Sequence, residues 1–379
     1  MGNTRKIAAL GVAVCSVVLA VGCGSSSSGG SSSSGGTDWS KVTSAQQGGG
    51  MAALIKAAKA EGHLNVITLP SNWANYGNIM KQFTAKYGIK INDANPEGSS
   101  QDEINAMQQE KGQSRAPDVL DMGTSFAIEG DQKKLLAPYE VASWSDIPAS
   151  SKAADSTWYA DYGGYVAIGY DASKVKVAPT SFKSLLNPAY KHEVAINNNP
   201  TEAAAAFDAV WAAALANGGS FSNIAPGIAF FKQLDKKGNF VPVAAGPTTV
   251  ENGSTPIVVW WDYLLASEIQ SSVKNFKVVI PSDASFAAYY DQAISATAPD
   301  PAAARRWEEF LYTTQGQNLW LQGEARPIEL QTMIANGTVD KTALAALPAA
   351  PSGTPTYPTQ QQSTTAEDLV TQQWPSVIG

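Results

Sequence analysis

The stretches LNVITLPSNWANYGNIMKQFTAKYGIKIN, residues 64–92, and DVLDMG, residues 118–123, decide the fold. LNVITL is a short apolar, β-branched run bounded by Pro70 and predicts a strand. Ile79, Phe83 and Tyr87 recur every fourth residue, so the stretch from Tyr76 predicts a helix that Gly88 ends. IKIN and DVLDMG predict the second and third strands. Between them Ser100 and Glu103 form an S-x-x-E pattern, which predicts a capping box ahead of Ile104 and Met107. This βαβαβ order implies a mainly parallel sheet flanked by helices, because parallel neighbours need a crossover between them.

Outward from this unit the alternation continues. Residues 51–61 predict a helix stopped by Gly62, and GYVAIGYD (164–171) and EVAINNN (193–199) predict strands. Asn199, Pro200 and Glu202 open an Ala-rich helix that stops at residues 217–219. A further helix lies near residues 228–234, followed by the strand IVVWW (257–261) and the extended segments FKVVIP and FAAYYDQAIS. Asp300 and Pro301 open a helix expected to run through Trp307, Phe310 and Trp320. Residues 347–362, rich in Pro, Ser, Thr and Gln, predict an irregular tail.

The N-terminus carries a different message. Arg5 and Lys6 precede an apolar run, residues 7–21, which predicts an export signal and is short for the ~20 residues of a spanning helix. Ala20, Val21, Gly22 and Cys23 resemble the lipobox of bacterial lipoproteins. The resemblance implies a signal peptide over 1–22 and Cys23 as a lipid anchor on the extracytoplasmic face of the cell membrane. The Gly/Ser run that follows to residue 36 is a flexible spacer with a root-mean-square span of roughly 20 Å, and the tether is taken to extend over 23–49. Cys15, the other cysteine, lies inside the cleaved run, so no disulfide framework is expected.

The remaining chain is longer than the ~250–300 residues at which single cores stop growing, so two lobes are expected. A net charge of −7 without a basic stripe argues against nucleic acid as a partner. Catalytic chemistry finds little purchase. His63 and His192 stand at strand edges, apart from any carboxylate or cysteine cluster, and there is no phosphate-binding glycine motif and no G-x-S-x-G elbow. No enzyme activity, cofactor or metal is therefore expected.

The succession SNWANYGNIMKQFTAKYGIKI, DVLDMGTSFA, WYADYGGYVAIGYDASKV, SFKSLLNPAYKHEVAINNNPTEAA, the Trp-Trp strand, and YYDQAIS before PAAARRWEEFLYTTQGQ resembles the extracellular solute-binding proteins of ABC importers. The spermidine/putrescine-binding branch is the nearest match, over roughly residues 60–325. The resemblance implies a two-lobed α/β periplasmic-binding-protein-like fold of type 2, each lobe a mainly parallel sheet flanked by helices, with ligand in the inter-lobe cleft. Residues 50–165 and 290–340 would form lobe 1 and residues 166–289 lobe 2, with 341–379 packing on both as a partly irregular C-terminal segment. It also implies a monomer that hands a small solute to a membrane permease.

Carried over by position, the resemblance selects Asn72, Trp73 and Tyr76 after the first strand, Glu202 before the Ala-rich helix, Trp260 or Trp261 on the late strand, and Tyr289 with Asp291 at the return crossover. Phe126 stands where polyamine binders tend to have tyrosine, and Tyr289 replaces a tryptophan. A polyamine needs carboxylates for its ammonium groups and flat faces for its methylene spacers. Glu202, Asp262 and Asp291 can supply the first, and Trp73, Tyr76, Trp260, Trp261 and Tyr289 the second. Each also has a plain structural role open to it: Trp73 and Tyr76 as a core stripe, Glu202 as a helix-start charge. Adjacent Trp260 and Trp261 point to opposite faces, so at most one lines a cleft. Two other solutes stay open. Gly98, Ser99, Ser100 and Ser125 can nest a phosphonate, and the Tyr289–Tyr290 pair can offer phenolate to ferric ion. A lipid-anchored secreted hydrolase is the alternative from another class.

Overall fold

The computed structural model describes residues 37–347 and 358–377. The expected signal peptide, Cys23 and the spacer to residue 36 lie outside the described residues, as do 348–357 in the expected irregular tail.

The chain enters as packed structure earlier than the composition predicts. Residues 37–49, expected as tether, lie on the body: Trp39 and Val42 are each 6% exposed, and a Cβ on Gly48 would overlap the Trp39 ring. Arg305 Nε donates to the Val42 carbonyl at 2.8 Å. The tether reading fails here because Trp39, Val42 and Ala45 bring apolar surface that the Gly/Ser run lacks.

From there α1 (Met51–Glu61), β1 (His63–Ile67), α2 (Tyr76–Tyr87), β2 (Lys90–Ala94), α3 (Ser100–Gln109), β3 (Val119–Gly123), α4 (Thr124–Gln132) and β4 (Leu136–Ala137) build the first lobe. β1 and β2 pair in parallel, and the Asp118 amide donates to the Asn65 carbonyl at 2.8 Å, setting β3 beside β1. Next come β5 (Trp158–Asp171), β6 (Val194–Ile196), α5 (Ala204–Ala216), α6 (Ala225–Lys236), α7 (Pro247–Glu251), β7 (Ile257–Trp261), α8 (Asp262–Leu264), β8 (Phe276–Val279) and β9 (Ala287–Ser295).

β5 is the structural axis. Its first half pairs antiparallel with β9, and its second half pairs antiparallel with β7 and β8, so one strand belongs to both lobes. β9 pairs with β3 on its other side, and β6 with β7 in parallel, giving the order β3-β9-β5-β7-β6. The sheet is mixed: parallel pairs lie in the outer lobes, whereas the crossover strands run antiparallel because they carry the chain out and back. The fold is thus two α/β lobes joined through β5 and β9.

α5 is apolar on all sides and almost wholly buried, as such a helix must be. α6 packs against it at Gly227, where a Cβ would overlap the Val210 carbonyl. The single helix expected to reach Trp320 is two, α9 (Pro301–Leu311) and α10 (Thr314–Gln322). Thr313 breaks the run by capping α10 through the Gly316 amide at 3.1 Å. β10 (Arg326–Pro327), α11 (Leu330–Asn336) and α12 (Lys341–Ala346) follow. Part of the expected irregular tail is α13 (Gln360–Gln373), which buries Ser363, Ala366 and Val370. Past its end, Trp374 packs edge-on against Phe231, with ring centroids 5.5 Å apart.

Candidate functional site

A cleft of about 340 Å³ opens between the lobes at the carboxyl ends of β1, β3, β6 and β7. Its first-lobe wall comes from the loop after β1 (Thr68, Asn72, Trp73), the turn into α3 (Glu97–Ser100), Glu103 and Asp121. The second-lobe wall comes from Asn197, Asn198, the start of α5, residues 244–249, Trp260 and Glu268; Tyr290 on β9 closes the floor.

Local sequence explains the placements. Ala74 and Asn75 have φ of 44° and 71°, a left-handed step between Trp73 and Tyr76. The two aromatics therefore leave the helical register that their spacing suggests. Trp73 turns into the cleft, and Tyr76 enters the core, 0% exposed, edge-on to Trp320 at 4.8 Å. The capping box of α3 is one residue earlier than expected: Ser99 takes the Asp102 amide, and Asp102 Oδ2 takes the Ser99 amide at 2.9 Å. Glu103 is thereby released from capping and lines the cleft, held by the Thr68 hydroxyl and by the Asp121 amide at 3.2 Å.

Trp73 anchors a hydrogen-bonded chain. Its Nε1 donates to Tyr162 Oη at 2.7 Å, and that hydroxyl donates to Asp121 Oδ2 at 2.7 Å. Gln292 Nε2 reaches Asp121 Oδ1 at 3.1 Å, Asp161 Oδ2 at 2.8 Å and Tyr76 Oη at 3.0 Å. Trp73 also meets Trp260 and Tyr290 edge-on, with centroids 5.8 and 5.6 Å away. Burial dominates the titration of these acids. It pushes Asp121 up to about 7 against the hydrogen bond from Tyr162, and Glu268 up to about 7 with help from Glu97. Burial also holds Glu103 well above the usual carboxylate range despite its Thr68 hydrogen bond.

Of the residues singled out in sequence, Asn72, Trp73 and Trp260 share this cleft with Gly98, Ser99, Ser100 and Tyr290. Trp261 faces the other way, 1% exposed and stacked on Tyr263 with the ring planes 12° apart, as strand alternation requires. Asp262 is not a cleft residue: its Oδ2 pairs with Arg326 at 2.7 Å, and its Oδ1 accepts the Tyr165 amide at 2.9 Å. Glu202 is exposed and reaches the first lobe only through its backbone carbonyl, which accepts the Gln101 amide at 3.4 Å; α5 starts two residues later than the motif implies. Phe126 is buried in the first turn of α4. Ser125, Tyr289 and Asp291 line a smaller chamber behind the cleft, where Gly123 meets Ala204 so closely that a Cβ would collide. Sequence reading missed Thr68, Asp121 and Glu268 as cleft residues, and it named Tyr290 only as a donor to ferric ion. The signal for Asp121 was its place near the end of a predicted strand in an α/β sheet.

Among the described residues no three His, Cys, Asp or Glu side chains gather as a metal site, and no helix is long and apolar enough to cross a membrane.

Comparison with known proteins agrees with the fold. A family model for bacterial extracellular solute-binding proteins matches residues 114–349. The periplasmic binding protein AfuA from Actinobacillus pleuropneumoniae, with exogenous fructose-6-phosphate bound, is similar with a TM-score of 0.67 at 17% identity, covering 83% of this chain and 98% of that one. A periplasmic thiamin binding protein is similar at 0.67 and 18%, covering 84% and 96%. A ferric binding protein from Campylobacter jejuni is similar at 0.60 and 18%, covering 83% and 99%.

Proposed function

Because this chain belongs to the bacterial extracellular solute-binding protein family, we propose that its cleft captures a small organic amine, of the polyamine class, and presents it to the permease of an ABC importer. One observation supports this above others. The cleft lining holds the carboxyl groups of Glu97, Glu103, Asp121 and Glu268 and the rings of Trp73, Trp260 and Tyr290, with no lysine or arginine among them. Ammonium groups meet the carboxylates while methylene spacers lie on aromatic faces. These are largely different residues from the carboxylates that the resemblance selected, so the ligand class stays while its charge partners change. About 340 Å³ suits a small solute rather than a polymer.

Binding is favoured by the ionised form of Asp121 and Glu268. A cation beside them pulls their titration down from about 7, so capture below that pH releases protons. The lipobox resemblance supports Cys23 as the lipid anchor that keeps the protein on the extracytoplasmic face, with the Gly/Ser run as spacer. Capture and delivery involve no turnover of the solute.

A second reading has its own support. α5 begins at Ala204 after the N-cap Ala203, which has no side-chain cap to offer, and Ala203, Ala204 and Ala205 line the cleft beside Thr248 and Thr249. An uncapped N-terminus with nearby hydroxyls favours a phosphonate or phosphate ester. Titration calorimetry of the purified protein with spermidine, putrescine, thiamin, 2-aminoethylphosphonate, fructose-6-phosphate and ferric citrate separates the readings. Saturable one-to-one binding of an amine supports the first. Binding confined to the phosphate ester or to iron overturns it and leaves the family role standing.

A further inference from the structure

We infer that the chamber behind the cleft is a second binding site, built for a small ammonium ion. Two carboxyl groups face it, Asp208 on α5 and Asp291 on β9, 9% and 1% exposed. Asp291 Oδ2 is buried with no hydrogen-bond partner. Left that way in a low-dielectric wall, an acceptor keeps an uncompensated desolvation cost, larger when it is charged. The rest of the wall carries hydroxyls, including Ser125 and Ser363, and aromatic rings, among them Trp158 and Trp211, with alanine and proline between them. Carboxylates and hydroxyls accept hydrogen bonds, and aromatic faces attract a cation without offering lone pairs. That combination matches a nitrogen cation with several N–H donors better than a hard metal ion, which needs six or more oxygens in its shell.

Size narrows the class. The chamber holds about 50 Å³, and one water-sized centre needs roughly 10–15 Å³, so only a group of a few heavy atoms enters. Ammonium and methylammonium fit, and a polyamine chain does not. The site also draws on four separate parts of the fold. Asp208 belongs to the second lobe, Asp291 to a crossover strand, Ser125 to the first lobe and Ser363 to α13. A cation held there ties all four together, so its occupancy favours the closed arrangement of the lobes. Burial pushes the titration of both carboxyls upward, and the charge of Asp291 pushes Asp208 further, so a positive partner beside the pair is favoured.

Thermal unfolding of the purified protein at constant ionic strength in ammonium, methylammonium, sodium or tetramethylammonium chloride tests the site. The expected result is a saturable rise of Tm in ammonium and methylammonium alone. It persists in the front-cleft variant Trp73→Ala, and the apparent affinity falls at least about 30-fold in Asp208→Asn. Ser363→Phe, which fills the chamber from α13, should abolish the rise even if Asp208→Asn folds poorly. On the wild type, ¹⁵N-ammonium spectra should show a bound, slowly exchanging signal. Equal melting in all four salts with no bound signal overturns the inference and leaves a water-filled acid pair. A rise lost in Trp73→Ala but kept in Asp208→Asn and Ser363→Phe overturns it by placing ammonium in the front cleft.

Discussion

Asp262→Asn tests whether the hinge rests on a buried ion pair. In the native fold Asp262 is 0% exposed and Arg326 8%, and the two meet at 2.7 Å. The pair ties the end of β7, in the second lobe, to β10, which pairs with β5 at Tyr162 and Gly163. Asparagine keeps an oxygen for the Tyr165 amide but gives the Arg326 guanidinium no charge. Removing one partner of a buried pair costs about 3–5 kcal/mol. For a body of this size the unfolding entropy is roughly 0.7 kcal/mol/K, so Tm should fall by about 4–7 °C. Burial raises the Asp262 titration even though Arg326 and the Tyr165 amide pull it down, so desolvation outweighs the attraction it meets. The double variant Asp262→Leu/Arg326→Met should therefore recover most of the loss, ending within about 1–2 °C of the parent. Scanning calorimetry on Asp262→Asn, and on the cycle of parent, Asp262→Leu, Arg326→Met and the double variant, measures the coupling. A single-variant shift below 1 °C, or a double variant as unstable as the sum of the singles, would refute the buried-pair reasoning. An unchanged Tm with a large loss of spermidine affinity would instead return Asp262 to the ligand.

The other predictions concern the cleft and the anchor. Trp73→Ala should weaken spermidine binding about tenfold or more by removing a ring face and the donor to Tyr162, whereas Glu202→Gln should leave it within twofold; calorimetry reads both. Spermidine affinity should fall about fivefold per contributing group between pH 7 and pH 6, because Asp121 and Glu268 take up protons below about 7, and a flat profile would exclude them as charge partners. Asp161→Asn should leave the midpoint of that profile nearly unchanged, since Asp161, raised by burial and by the Asp121 charge, already holds its proton where Asp121 titrates, and a large shift would show that Asp161 carries the charge instead. Cys23→Ala should shift the protein from the membrane fraction to the medium, and retention in the membrane would point to an uncleaved N-terminal segment.

Fold and site were legible in the sequence to different depths, and the difference is physical. Period-two and period-four patterns report which face of an element is buried, so α1, β3, β7 and β9 could be placed from Met51–Glu61, DVLDMG, IVVWW and AAYYDQAIS. The 14-residue β5 was half seen, because WYADYGG lacks the apolar alternation of GYVAIGYD while pairing just as fully with β9. The cleft was harder. Trp73 was found because a tryptophan after a first strand is a specific pattern, but Tyr76 was misplaced because nothing in its spacing announces the left-handed step at Ala74 and Asn75. Glu103 was read as a capping residue, since S-x-x-E and S-x-x-D overlap by one position and the backbone chose Ser99 with Asp102. Asp262 and Asp291 looked like ligand carboxylates because sequence reports charge without reporting its partner. Arg326 lies 64 residues from Asp262, and no local pattern links them.

The cleft chemistry and the hinge are joined through one side chain. Gln292 sits on β9, and its amide nitrogen approaches Asp121, which lines the cleft, and Asp161, which lies on β5 and is 0% exposed. Burial raises both carboxyls, and the charge on Asp121 raises Asp161 further, so two full negative charges in this small space are disfavoured. A single charge shared with the Gln292 donor is tolerated. A cation arriving in the cleft stands on the Asp121 side only, so it draws that charge to Asp121 and leaves the proton with Asp161. Tyr162, which donates to Asp121 and accepts from Trp73, is then gripped more firmly from both ends. On the proposed amine reading, the ligand's charge would thereby be felt at β5 and β9, the two strands that join the lobes.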